Sequence, residues 1–344
     1  MKVAIVGGGI AGSFLASLLN NEKVDVTVFT DSKRLGCLCA WGTVFHEVDR
    51  LLRRVGLKLK DYVYAKIRDL VVNGVRFNVQ NIVTFNKPKL IYDLLENVNV
   101  KYANIREPPS NYDIVVDATG FRRTLLGKLR RDFLLSTVEY VVKDYEGVLD
   151  EKTIYVQLGK VGYAWMFPLE NGFWHVGAGD KVLDVEKLIR KVMRRYGLAK
   201  SRFLITCKCR SYVRLLPPKL CQPIVRNNVY GCGESVGTVF PLTGEGIAFS
   251  MRCSEILFEN LIQNNEPSNY VRSLLREFEW FNSAYRLVLS LNKSSTKLLF
   301  NAFIALRTIL KYARRLGARI SDLSEMFKVI YKLLKLGKNT LEFY

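Results

Sequence analysis

The feature that most restricts this chain is a run of glycines set between two short apolar segments at its start. Lys2–Val6 reads as a buried strand and Gly7-Gly8-Gly9-Ile10-Ala11-Gly12 as a tight turn; Ser13–Asn20 then reads as a helix and Val24–Phe29 as a second strand. G-x-G-x-x-G in that setting is the fingerprint of a dinucleotide-binding βαβ unit. Gly7 permits the turn, Gly9 lets the backbone approach a pyrophosphate, and Gly12 lets the helix pack on the strand. The N–H groups that open the helix and the positive end of its dipole then hold the phosphates. The run does not distinguish NAD(P) from FAD. One position departs from the pattern: the second strand closes on Thr30 rather than on an acid, and Asp31 follows. Two readings of Asp31 stand. It holds the ribose hydroxyls from one residue further on, or it caps the turn at Ser32–Lys33.

A chain of 344 residues can bury a large core and fill two lobes. A composition of 49% hydrophobic and 24% charged residues is that of a globular protein. Met1 runs straight into the first strand, so no secretory signal is read. No segment reaches the roughly 20 apolar residues of a spanning helix; the longest candidate, Leu298–Leu310, is broken by Asn301 and Arg307. Seven cysteines, an odd number, point to a cytoplasmic protein. A net charge of +20 favours polyanions or an anionic membrane surface. No helix-turn-helix, zinc-finger or RNA-reading motif accompanies it, which argues against nucleic acid. A thermophile's lysine- and arginine-rich surface would produce the same charge with no partner at all.

Further along, Lys33–Gly42 is loop-like, with Cys37, Cys39 and Trp41 in it. Phe45–Val55 reads as a basic amphipathic helix ended by Gly56. Tyr62–Phe85 alternates and holds Asn73-Gly74, the strongest short hairpin signal, joining strands Lys66–Val72 and Val75–Phe77, the second with room to extend onward. Lys87–Glu96 is helical and Tyr112–Val116 a buried strand. Val138–Lys143, Thr153–Leu158, Ala164–Phe167, Phe173–Ala178 and Cys207–Leu215 are strands of an antiparallel sheet, with a helix at Asp184–Tyr196. Asn228–Cys232 is another buried strand and Gly244–Leu261 a long helix; residues 267–344 read as all helix. The fold class is therefore α/β, a Rossmann-like domain interleaved with an antiparallel-sheet substrate domain, plus a helical C-terminal region. The expected division is 1–60, 86–124 and 223–265 for the nucleotide domain, 61–85 and 125–222 for the substrate domain, and 266–344 for the helical region.

Three distant stretches belong together: Gly7–Gly12, Asp117-Ala118-Thr119-Gly120, and Gly231–Gly246, which repeats the strand, glycine loop and helix start of the first. With them the chain resembles the FAD-dependent geranylgeranyl reductase family, whose fold is shared with the aromatic hydroxylases. D-A-T-G is matched at 117–120, and P-L-T-G-x-G-I at Pro241-Leu242-Thr243-Gly244-Glu245-Gly246-Ile247. The hallmark Y-x-W-x-F-P stands as Tyr163-Ala164-Trp165-Met166-Phe167-Pro168. The resemblance covers about residues 1–260.

The resemblance implies FAD as cofactor. Gly7, Gly9, Ile10, Ala11 and Gly12 would hold its pyrophosphate, with Thr30 and Asp31 at the ribose and Ala118, Thr119 and Gly120 along the cofactor. Gly233 and Glu234 stand where the family has G-D, whose carboxylate bonds the ribityl or pyrophosphate region. Gly244, Glu245, Gly246 and Ile247 would lie beside the flavin ring. Lys87 stands where many relatives have an arginine that braces FAD; a lysine cannot form the same bidentate fork. Tyr163, Trp165, Phe167 and Pro168 would line the substrate chamber. Cys39, or alternatively Cys37, would be the family cysteine at the reactive face. The stretch Glu96–Tyr112 is short, so a piece of the usual structure is pared down. The implied activity is reduction of C=C bonds in an isoprenoid chain or prenyl lipid, with electrons from a visiting donor, NAD(P)H or a reduced protein. The shared fold leaves a flavin hydroxylase as the alternative enzyme. A basic protein that binds membrane or nucleic acid on a flavin fold, without turnover, is the alternative outside enzymes.

Simpler readings accompany several of these residues. Period two in Tyr163–Phe167 also suits an ordinary core strand; beside the flavin motifs it reads as a pocket wall. Cys37-x-Cys39 and Cys207-x-Cys209 do not have the common zinc spacing, so they read as buried or redox-active thiols, with no metal. A disulfide from Cys37 or Cys39 to another cysteine would gate the pocket. His175 reads as a packed residue, and His46 as a polar helix residue or a proton donor. Residues 267–344 carry 14 Lys/Arg against 5 Asp/Glu. Their apolar stripes suit peripheral contact with a membrane, a lid over a lipid chamber, or a helical cap on the first domain.

Overall fold

A computed structural model describes residues 1–31, 39–198, 203–263, 266–291 and 295–318. Lys2–Val6 forms strand β1, Ile10–Asn21 helix α1 and Asp25–Thr30 strand β2. Next come β3 (Gly42–Val44), α2 (Phe45–Arg53), β4 (Val63–Val72), β5 (Val75–Phe85), α3 (Lys87–Leu95), β6 (Asn99–Tyr102) and β7 (Ile114–Asp117). β8 (Leu134–Lys143), β9 (Thr153–Leu158), β10 (Gly162–Pro168), β11 (Phe173–Asp180), α4 (Val185–Arg195) and β12 (Phe203–Arg214) follow. The chain closes with β13 (Val225–Arg226), β14 (Val229–Gly231), α5 (Ile247–Gln263), α6 (Pro267–Glu277), α7 (Phe281–Ser290) and α8 (Ser295–Arg315).

The strands form two sheets. The first has six strands in the order β13-β14-β7-β1-β2-β6. All its pairs are parallel except β13 with β14. Its central strands are apolar on both faces, as a parallel sheet covered by helices requires; Val3, Ala4, Ile5, Val115 and Val116 are fully buried. α1 packs against α5 and α3. A buried carboxylate also ties α2 to α5. Glu255 takes Arg50 from α2, Arg54 from the residue just after it and Arg252 from its own helix. Burial pushes its carboxyl up, but the bonds from Arg50, Arg54 and Arg252 win and hold it down at about 2.

The second sheet has eight strands in the order β12-β8-β11-β10-β9-β4-β5-β3. It is antiparallel except where β4 runs parallel to β9. The β4–β5 hairpin turns at Asn73 and Gly74, both at positive φ (51° and 83°), the backbone that Asn-Gly supplies. β4 starts earlier than read, at Val63, and β5 extends onward to Phe85, the span over which the sequence alternates.

Two segments differ from expectation. Gly42–Val44, which starts at the end of the loop-like stretch and falls with it in the expected nucleotide domain, is a strand on the edge of the second sheet and pairs with Ile82–Thr84 of β5. Three residues are too few to show a period, so only the partner strand reveals it. The short stretch Glu96–Tyr112 still contains β6, which extends the parallel sheet beyond β2. Among the described residues of the C-terminal region the reading as helix holds; residues 319–344 lie outside them. No described helix is long and apolar enough to cross a membrane.

Candidate functional site

A continuous cavity of about 1050 Å³ runs from the carboxyl ends of the parallel strands into the space beneath the second sheet. Its first half is built from backbone. Gly7 has φ 115°, and a Cβ there would lie 2.2 Å from the Ala118 carbonyl oxygen. A Cβ on Gly12 would lie 2.0 Å from the Gly7 carbonyl oxygen, so this glycine lets α1 sit on β1. Gly9 differs from both: nothing stands within 4 Å of where its Cβ would be. Gly7, Gly9, Ile10 and Ala11 line the cavity, and Gly12 is packed behind them. No side chain caps the start of α1, so its first N–H groups remain for a ligand.

Thr30, Asp31, Ala118, Thr119 and Gly120 continue the wall. Thr30 is buried at the end of β2, and Asp31 receives a 2.6 Å hydrogen bond from Arg122 Nη1. Ser32 and Lys33, the residues of the capping alternative, lie outside the described residues. Asp117 of the D-A-T-G run is fully buried and does not reach the cavity. Its Oδ1 accepts from Thr119 N–H (3.1 Å) and O–H (2.6 Å), and its Oδ2 from the Leu125 and Leu126 N–H groups (2.8 and 3.0 Å). It shapes the loop that the other three residues present.

The second glycine loop closes on the first. Gly233, at φ 71°, sits where a Cβ would come 2.7 Å from Ala11 Cβ; it is buried in that contact and is not on the cavity wall. Glu234 is on the wall. Its Oε1 accepts the Arg214 backbone N–H at 2.7 Å. Burial drives its carboxyl up to about 7, against the Arg214 N–H and guanidinium that favour its charge. Arg214 is itself buried, bonded to Asp132 (2.8 Å) and to the carbonyls of Phe121 (2.6 Å) and Glu234 (3.1 Å). Sequence reading missed Arg214 and Asp132, since neither stands in a motif. Gly244, Glu245, Gly246 and Ile247 line the cavity just before and at the start of α5. Burial raises the Glu245 carboxyl; its Oε2 meets Arg315 at 3.4 Å and its Oε1 has no hydrogen-bond partner among the described residues.

The second half of the cavity is apolar. Along β10, Tyr163, Trp165 and Phe167 face it, while Ala164 and Met166 point the other way into a core shared with α4. Pro168, expected on the wall, is buried at the strand's end and off the cavity. Each of the three rings has a glycine beside it. Trp165 pairs with Gly177, whose Cβ would stand 2.5 Å from the indole, and Tyr163 pairs with Gly179. Phe167 covers Gly42, whose Cβ would stand 2.3 Å from its ring. The Tyr163 hydroxyl donates to the Thr243 carbonyl, which ties the chamber to the second glycine loop. α8 supplies a further wall through Leu298, Ala302, Ile309, Tyr312 and Ala313. Tyr312 stacks on Phe240 (4.5 Å) and accepts from Thr243 Oγ1 (3.0 Å), and Arg315 bonds Glu47. Of the three readings of the C-terminal helices, a lid over the chamber describes α8.

One group of polar side chains is buried where the two halves meet. Lys87 Nζ lies 2.8 Å from Cys39 Sγ and donates to it. Lys87 lines the cavity, with its ammonium on the thiol. Cys39 is a free thiol, not half of a disulfide; burial pushes it up and Lys87 pulls it down, with burial ahead. Cys37 lies outside the described residues, as does the Cys207 side chain. Glu139, on the cavity wall and 6% exposed, accepts Trp165 Nε1–H at 3.0 Å. His175 Nδ1 is 3.2 Å from Glu139 Oε1. Burial, then the Lys87 charge, lower His175 to about 3, so the contact is not an ion pair. His175 Nδ1 has no hydrogen-bond partner among the described residues. His175 packs edge-on to Trp41 at 4.5 Å, as a packed residue should, and His46 is exposed on α2. No sequence signal separates Glu139 from the chain's other acids.

A six-stranded, mostly parallel sheet with a glycine-lined cleft, joined to an antiparallel sheet over an apolar chamber, is the fold of FAD-dependent reductases and monooxygenases. Comparison with known proteins agrees. Residues 5–56 match the NAD(P)-binding Rossmann-like domain. The chain is similar to an uncharacterized protein of Methanocaldococcus jannaschii, at 26% identity over 75% of this chain and 82% of that one. It is similar to digeranylgeranylglycerophospholipid reductase 2 of Methanothermobacter thermautotrophicus, at 24% identity over 80% of this chain and 82% of that one. Among solved structures, a geranylgeranyl bacteriochlorophyll reductase-like protein of Thermoplasma acidophilum superposes with a TM-score of 0.68, at 15% identity, covering 92% of this chain and 98% of that one. HpxO of Klebsiella pneumoniae, solved with FAD, superposes at 0.61, with 13% identity and 97% and 94% coverage. The resemblance to the geranylgeranyl reductases thus stands in sequence and in fold.

Proposed function

We propose that the protein is an FAD-dependent reductase of C=C bonds in an isoprenoid chain or prenyl lipid. The observation that carries this reading is the single cavity that joins the glycine-lined cleft to the apolar chamber. The cleft fits FAD on three counts. The open space at Gly9 admits a pyrophosphate, the uncapped start of α1 offers it N–H groups, and Asp31 stands at the end of β2 for the ribose. Glu234 and Gly244–Ile247 are the residues for the ribityl and ring portions. A chamber walled by Tyr163, Trp165, Phe167 and α8 suits a branched hydrocarbon and excludes water.

Held by these residues and reduced by a visiting donor such as NAD(P)H or a reduced protein, FAD would supply the hydride for one alkene carbon. The chain must deliver a proton to the other carbon so that the double bond becomes saturated. Glu139 is the group for that task, because it is a carboxyl buried on the chamber wall and held there by the Trp165 N–H. Trp165 fixes its orientation, and the Lys87–Cys39 pair stands beside it. A substrate of this kind resides in a bilayer, so the enzyme works at a membrane surface as a peripheral protein. The test is incubation of the flavin-loaded protein with unsaturated prenyl lipids and a reductant, without oxygen, followed by mass spectrometry. The reading expects each reduced bond to gain two hydrogens. Hydroxylated product formed only with oxygen would instead make the protein a monooxygenase.

A further inference from the structure

We propose that α8 docks flat on an anionic bilayer through its outer face and so sets the chamber against the membrane. The proposal rests on the lipid substrate proposed above only for its purpose; docking is measured without turnover.

The two faces of α8 differ. Its inner face lines the cavity, with Leu298, Ala302, Ile309 and Tyr312 among the wall residues. On its outer face Phe300 is 66% exposed, Phe303 77% and Ile304 38%. Bare aromatic residues in such number on one helix are unusual unless something covers them. Arg307, Lys311 and Arg314 continue the same stripe at intervals of four and three residues, all exposed. Lys297 stands at the other end. Among the described residues none of these four cations has a carboxylate partner. Arg307, Lys311 and Arg314 also border one surface hollow with Arg315. From Phe300 to Arg314 the stripe is roughly 20 Å long at 1.5 Å per residue.

An apolar patch flanked by cations without carboxylate partners, Lys311 resting on the Trp280 ring (4.5 Å), fits a bilayer interface: the rings enter the acyl boundary and the cations meet lipid phosphates. The chain's net charge of +20 acts in the same direction at longer range. An acidic protein partner would match the cations but not three bare hydrophobic side chains beside them. A second copy of this chain would bring like charge against like. Because the same helix is the chamber wall, docking leaves one helix between the acyl chains and the cavity.

The experiment is flotation of the full-length, flavin-loaded protein with phosphatidylglycerol vesicles and with phosphatidylcholine vesicles. Wild type is expected to bind the anionic vesicles and to bind the neutral ones at least tenfold more weakly. The double variant F300S/F303S is expected to lose at least tenfold in vesicle affinity. R307Q, K311Q and R314Q are each expected to lose about fivefold. F300W/F303W keeps aromatic interface anchors and is expected to restore binding, which separates docking from a folding defect. All the variants should retain the wild-type flavin spectrum. Wild-type binding by F300S/F303S would overturn the proposal, as would binding to neutral and anionic vesicles alike. So would a wild-type dimer that F300S/F303S converts to monomer, since a second copy would then be what covers the face. If vesicles bind as expected but no prenyl lipid is reduced, the docking stands and the enzymatic reading fails.

Discussion

The two halves of the cavity are built by different means. The cleft is made of backbone: Gly7, Gly9, Gly12 and the start of α1 act through the absence of side chains and the presence of N–H groups. The chamber is made of side chains from β8, β10 and α8, which must find one another across long separations. A backbone site fails all at once when a Cβ is inserted at a closed position. A side-chain site fails residue by residue, each change leaving the fold in place. The difference also decides what a sequence can disclose. Backbone sites need particular glycines in order, and side-chain sites need only the right atoms in the same place.

The glycines offer the largest effects and the sharpest internal contrast. Gly12→Ala puts a methyl 2.0 Å from the Gly7 carbonyl, where only backbone can give way. The apo protein is expected to lose about 3 kcal/mol or more in urea unfolding and to purify without flavin. Gly9→Ala meets nothing within 4 Å. Its apo stability should stay within about 0.5 kcal/mol of wild type, while flavin retention falls because the methyl occupies the approach to the pyrophosphate. Equal unfolding midpoints for the two variants would break the distinction between packing and binding glycines.

In the chamber, Glu139→Gln keeps the shape and the bond to Trp165 but removes the ionisable carboxyl. Flavin content and its reduction should be unchanged, and the rate of alkene reduction should fall about 100-fold or more. Glu139→Asp should recover part of it, which a purely structural role would not produce. Unchanged turnover in Glu139→Gln would remove this residue from the chemistry.

The smallest effect lies where the two halves meet. Glu234 is raised from its ordinary range to about 7 by burial. A carboxyl raised in the folded state keeps its proton while the unfolded chain has lost it. Its contribution to stability is therefore complete below about pH 4.5 and is lost as pH rises through about 7. Glu234→Gln should remove that pH-dependent part, on the order of 2 kcal/mol, from the difference between apo unfolding curves at pH 4.5 and pH 8. Identical pH profiles for wild type and variant would mean that the carboxylate is charged in the fold.

Much of the cleft was legible. β1 was read to the residue, and α1 and β2 to within a few, because an apolar strand, a glycine turn and a helix leave few alternatives. The alternation in Tyr163–Phe167 disclosed which side chains share a face, though not that Gly177 and Gly42 make room for the rings. Pro168 was carried along by its motif, and strand geometry ends the wall at Phe167. Glu139, His175 and Arg214 were not legible as site residues, since burial and not pattern gives them their roles. The Lys87–Cys39 contact spans 48 positions and leaves no periodic trace. β3 escaped because a three-residue strand is defined by its neighbour.

The central claim is that one cavity brings a flavin and a prenyl chain together for reduction. The most direct measurement is anaerobic stopped-flow absorbance of the reduced, flavin-loaded protein mixed with an unsaturated prenyl lipid. The account predicts that the oxidised flavin spectrum returns at a rate that rises with lipid concentration, and that saturated product forms in step. A flavin that stays reduced with lipid present and is reoxidised only when oxygen is admitted would contradict it.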